Sequence, residues 1–133
     1  MSVDELIEGS KSLGLDGICL TDHDVFWTDE ETRELSSKHD FLVIPGCEIN
    51  TESGHVLVFG LSGYVFGMHR AEFLRSSVDQ VEGVMIAAHP YRRRFLEEPA
   101  EKFEARQEML ERACGDEFFR MCQGIEALNG RGL

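Results

Sequence analysis

Three imidazoles and one carboxylate are the residues of this chain whose types and spacing suggest chemistry. His23 lies between Asp22 and Asp24, Glu48 follows Gly46-Cys47, His55 follows Ser53-Gly54, and His89 precedes Pro90. Imidazole with carboxylate is the donor mix of zinc, iron and manganese centres, and three such donors with a position left open make a catalytic site. An ion held there lowers the pKa of bound water to about 7 and polarises a phosphoryl or carbonyl oxygen. Each residue also has an ordinary alternative. His23 can be a loop hydrogen-bonder, Asp22 and Asp24 can serve a turn or a helix N-cap, and Glu48 can be a solvated carboxylate. His89 can belong to a rigid turn before proline. His39 and His69, at a helix end and in a polar loop, are read as solvated.

The one basic cluster, Arg92-Arg93-Arg94, comes just after His89. A guanidinium there can grip a phosphate in bidentate fashion, or the run can be a solvated balance for Glu97 and Glu98.

The elements that must position these groups follow from local signals. Ser2 with Glu5 and Thr28 with Glu31 read as capping boxes opening two helices, the first stopped by Gly14 and the second running to His39. Apolar runs at 17–21, 41–45, 84–88 and 124–128 read as strands, and 47–51 with 55–61 as a hairpin about Glu52-Ser53-Gly54. Further helices are expected over 70–81 and from Pro99, the latter with Phe103, Leu110 and Cys114 on one face. This alternation predicts a single α/β domain over residues 1–133, with a parallel sheet buried on both faces. In such folds the functional loops follow the carboxyl ends of strands. His23, Glu48, His89 and Asn129-Gly130-Arg131 all fall at such ends, with His55 beside them.

The chain has 133 residues, with 13 Lys plus Arg against 25 Asp plus Glu, a formal net charge of −12. That balance speaks against direct nucleic-acid binding and against an anionic membrane surface. Acids that ring bound cations are the exception, because the ions are then the largest local charges. The apolar runs are far shorter than the roughly twenty residues that span a bilayer, and the acidic N-terminus lacks a signal-peptide design. Cys19, Cys47, Cys114 and Cys122 form no Cys-x-x-Cys pair. They are read as free thiols of a cytoplasmic protein, two of them within apolar strands.

Taken in order, residues 14–24 (GLDGICLTDHD), 44–51 (IPGCEINT), 54–61 (GHVLVFGL), 87–91 (AAHPY) and 125–131 (IEALNGR) carry a pattern. With it the chain resembles the PHP (polymerase and histidinol phosphatase) family of metal-dependent phosphoesterases. The resemblance implies a distorted (βα)7 TIM-like barrel with divalent ions at its strand ends: Zn, Mn or Fe, with Mg also accepted. It implies His23, Glu48, His55 and His89 as metal ligands, Glu48 as a bridge between ions, and Asp22-His23-Asp24 as the catalytic run. Arg92, Arg93, Asn129 and Arg131 would bind substrate. The implied activity is hydrolysis of a phosphomonoester or small nucleotide phosphate by metal-activated water.

Family members also carry an Asp-x-His-x-His strand near the start and a Ser-Asp-x-His segment near the end, and neither stands in this chain. About five of seven barrel strands are therefore expected, which opens an alternative: a truncated remnant that binds metal or a protein partner with little or no catalysis. Open barrel edges would then favour a homo-oligomer. A subunit or regulatory role is a third reading, because PHP modules occur fused to DNA polymerases.

Overall fold

The computed structural model describes residues 1–90 and 103–128. Helix α1 (Val3–Ser12) begins where the Ser2 hydroxyl accepts from the Glu5 N–H and the Glu5 carboxylate accepts from the Ser2 N–H. Gly14, at φ +82°, takes the chain out of it. Strand β1 (Gly17–Leu20) follows. A second reciprocal box, Thr28 with Glu31, opens α2 (Asp29–His39). Then come β2 (Leu42–Pro45), β3 (Cys47–Thr51), β4 (Gly54–Phe59), α3 (Ala71–Gln80), β5 (Val84–Ala87), α4 (Phe103–Gly115), α5 (Glu117–Met121) and β6 (Gly124–Ile125). The last strand is thus shorter than its apolar run suggests, and Pro99, expected to start α4, lies outside the described residues.

The strands form a two-stranded sheet, β1-β2, and a four-stranded one in the order β3-β4-β5-β6. Only β1 with β2 and β5 with β6 run parallel, while β4 is antiparallel to both its neighbours. The expected parallel sheet is therefore replaced by a mixed one. For β3 and β4 the reason is the tight turn at residues 52–53, where Thr51 Oγ1 accepts from the N–H groups of Ser53 and Gly54 and donates to the Gly54 carbonyl. So short a link can join only antiparallel strands. The described strands form no closed barrel.

Two cores result. Ile49, Val56, Val58, Met85 and Ala87 line the inner face of the larger sheet, against Leu74 and Val78 of α3 and Phe118 and Phe119 of α5. Ile7, Leu20, Phe41 and Val43 fill the space between β1-β2 and the helices α1 and α2. The smaller sheet is covered on one face only: Leu20 and Val43 are buried, whereas Cys19, Leu42 and Ile44 are exposed. Burial on both faces fails there, and Cys19 is not the buried thiol its apolar run suggested. Cys47 is. On α4, Leu110 and Cys114 face solvent and Ala113 packs on the core.

His39 also departs from expectation. It is only 9% exposed, with Nε2 at 2.5 Å from Asp4 and Nδ1 at 2.7 Å from Glu8, so it fastens the end of α2 to α1. The Asp4 and Glu8 carboxylates hold its pKa above the ordinary histidine value. Reciprocally, Lys38 and then His39 hold Asp4 low, and His39 holds Glu8 low. Polar residues are buried when they are paired in this way. No helix among the described residues is long and apolar enough to cross a membrane.

Candidate metal centre

The pairing of β1 does not stop at Leu20. The Gly46 N–H donates to the Leu20 carbonyl, Glu48 N–H to Asp22, and Asp24 N–H to Glu48. His23 thereby stands opposite Glu48, continuing the offset that sets Gly17 opposite Leu42 and Leu20 opposite Pro45. In-register neighbours of a parallel pair present their side chains to the same side of the sheet. The ladder crosses from the smaller sheet to the larger one at Gly46. A Cβ there would lie 2.7 Å from Phe59 Cε1 and 3.1 Å from Thr21 Cγ2, so glycine is what lets these strands approach.

The β3-β4 hairpin supplies the next imidazole. Cys47, Ile49, Val56 and Val58 point into the core, so the pleat sends Glu48 and His55 to the opposite face. There His55 Nδ1 lies 3.1 Å from Glu48 Oε1.

His89 reaches the same carboxylate differently. Met85 and Ala87 point into the core, and a continued strand would turn His89 with them. Instead His89 adopts φ +29°, and its Nε2 lies 3.3 Å from Glu48 Oε1. A non-glycine residue held in that region costs on the order of 1–3 kcal/mol, which the surroundings must offset. The His89 N–H donates to Glu126 Oε2 at 2.6 Å. Glu126 stands within the 125–131 stretch, but that stretch gave it no role, because its partner His89 is distant in sequence.

One carboxylate is thus faced by three imidazoles. Oε1 meets His55 and His89, and Oε2 meets His23 Nε2 at 3.4 Å. The rings stand edge to face, with centroids 5.4 Å apart for His23 and His55 and 4.8 Å for His55 and His89. Glu48 is 15% exposed and the His23 side chain 55%, so the cluster opens to solvent on the His23 side. The donor set fits a divalent ion. Ligand atoms at about 2.1 Å from a tetrahedral centre lie about 3.4 Å from one another, close to the three carboxylate–imidazole distances found here. One ligand atom each from His23, Glu48 and His55 falls within 4.8 Å of the others; His89 approaches Glu48 but does not belong to that mutually close group.

The remaining expected residues divide. Asp22 Oδ2 accepts a 2.8 Å hydrogen bond from the Trp27 indole, and Asp24 has φ +54°. Neither belongs to that three-residue cluster. Arg92, Arg93, Arg94, Asn129 and Arg131 lie outside the described residues. Cys47 is buried on the far side of β3; burial first, and the Asp24 charge second, push its thiol up, away from thiolate ligation. His69, expected to be solvated, is partly covered and has Nε2 3.8 Å from Glu52. A cavity of about 450 Å³ adjoins the cluster, lined by Thr51, Ser53, His55, His89, Phe118 and Phe119 among others.

No protein-family model matches the chain, and no curated protein matches it. Among solved structures it is similar to one described as "a putative metal-dependent phosphoesterase" from Bifidobacterium adolescentis. The two share 16% identity at a TM-score of 0.61, over 97% of this chain and 72% of that one, a likeness of fold.

Proposed function

We propose that this chain is a metal-dependent phosphoesterase of the PHP type, hydrolysing a phosphomonoester or small nucleotide phosphate. The observation that carries the reading is the division of labour on Glu48: one oxygen toward His55 and His89, the other toward His23. A carboxylate so placed can bridge two ions, His55 and His89 completing one set and His23 contributing to a second. The fold likeness to a structure described in the same chemical terms supports it.

Bound Zn, Mn or Fe would supply a water of lowered pKa and Lewis acidity toward the phosphoryl oxygens. The chain's own residues do the rest. Glu48 and His55 sit on the paired strands β3 and β4, backbone hydrogen bonds hold His23 opposite Glu48, and His89 stands just past β5 with its N–H on Glu126. Trp27 fixes Asp22 at the edge of the site, and the cavity beside His55 and His89 receives the leaving group; its size suits a small molecule. Arg92, Arg93, Asn129 and Arg131 are the proposed phosphate and rim contacts, with Asp22 and Asp24 as proposed participants beside His23.

The test is phosphate release from a generic aryl phosphate after loading with Mn²⁺ or Zn²⁺. We expect turnover that chelation abolishes and that Glu48→Gln lowers at least about a hundredfold. Metal bound without turnover would favour the remnant reading, and no metal bound would sink the phosphoesterase reading and leave only a remnant that binds a protein partner.

A further inference from the structure

Resting on the metal reading above, we propose that Glu126 is a positioning residue for the centre, acting through the backbone of His89. Strand β6 pairs with β5 through Ile86 opposite Gly124 and Ala87 opposite Ile125, which delivers Glu126 just beyond the end of that ladder. There it makes two bonds to one short stretch of chain. Its own N–H donates to the Ala87 carbonyl at 2.9 Å, and its carboxylate accepts from the His89 N–H at 2.6 Å. Gln123 makes the same double contact at the other end: its N–H donates to the Met85 carbonyl and its side-chain oxygen accepts from the Met85 N–H. β5 is thus gripped at both ends by side chains from the segment beside it.

At Met85 the grip holds ordinary strand. At His89 it holds a backbone with φ +29°, the conformation that brings the imidazole to Glu48 rather than toward the core. A charge-assisted hydrogen bond to that N–H is among the stronger single contacts available to fix such a residue. A carboxylate that holds the backbone of His89 therefore governs whether this imidazole reaches Glu48.

The test compares the full chain with Glu126→Ala, Glu126→Gln and His89→Ala, using Co²⁺ as the probe. We expect Glu126→Ala to weaken Co²⁺ binding about 10- to 100-fold with an altered d–d spectrum, the range seen when an outer partner of a ligand is lost. Glu126→Gln, whose amide oxygen still accepts, should stay within a few-fold of wild type. In the His89→Ala background, Glu126→Ala should cause no further loss. Unchanged affinity and spectrum in Glu126→Ala, or an equal loss without His89, would overturn the proposal. The metal-free chain provides a separate reading, because the His89 amide should lose hydrogen-exchange protection in Glu126→Ala. Wild type that binds no Co²⁺ refutes the metal centre itself; unchanged amide protection refutes the Glu126 grip.

Discussion

Gly46→Ala is the substitution that most directly tests the strand geometry behind the centre. The added carbon would lie 2.7 Å from Phe59 Cε1, 3.0 Å from Phe59 Cδ1 and 3.1 Å from Thr21 Cγ2. Carbon atoms in contact rest about 3.5–4.0 Å apart, so something must move by roughly 1 Å. Gly46 is not among the positive-φ glycines, so alanine brings a steric cost and no backbone strain. Overpacking of this kind destabilises by about 1–3 kcal/mol. Thr21 leads directly into Asp22 and His23, so the same displacement should part His23 from Glu48. Urea unfolding, read beside Co²⁺ titration, measures both effects. We expect a lower urea midpoint and at least a several-fold weaker ion. Phe59→Val, which removes the ring while keeping a strand-forming residue, should restore much of both when combined with Gly46→Ala. A single variant with wild-type midpoint and affinity would refute the reasoning, and a double variant that restores neither would show that Phe59 is not the obstacle.

Three further outcomes are expected. His39 has its folded pKa raised above 6.5, so its contribution is complete below that value and lost as pH climbs through the folded pKa. Asp4 and Glu8, lowered from 3.8 and 4.5, contribute fully above those values and lose it as pH falls through their folded pKas. The stability advantage of wild type over His39→Gln should therefore be greatest between pH 4.5 and 6.5, and denaturant unfolding across pH checks the shape. Trp27 is the single tryptophan and bonds to Asp22 beside the cluster, so Co²⁺ should quench its fluorescence in wild type and not in Glu48→Ala. Leu74 is fully buried, and Leu74→Ala should cost about 3–4 kcal/mol in unfolding free energy.

Much of the local structure was legible because its causes are local. Both capping boxes lie within four consecutive residues, and Ser2 with Glu5 and Thr28 with Glu31 make the bonds their spacing suggests. The hairpin at residues 52–53 was visible for the same reason. Long-range pairings were not. His39 looked solvated because the acids that bury it lie on α1, and Cys19 looked buried because an apolar run does not reveal which sheet face a helix will cover. For the cluster, residue type and position at strand ends sufficed to nominate His23, Glu48, His55 and His89. The parts that hold them were hidden: nothing local ties Trp27 to Asp22, and Glu126, though inside the 125–131 stretch, meets His89 only through the fold.

The continued ladder from β1 into residues 22–24 has a consequence for how this chain can vary in length. His23 meets Glu48 because the step from Leu20 to His23 equals the step from Pro45 to Glu48. The connection between them, with Trp27 and α2, lies outside that equality, so residues can be gained or lost there while His23 and Glu48 stay opposed. A single-residue insertion or deletion on either short step would set His23 against Cys47 or Ile49, whose side chains belong to the core face. Related chains should therefore tolerate indels around α2 and show none between Leu20 and His23 or between Pro45 and Glu48.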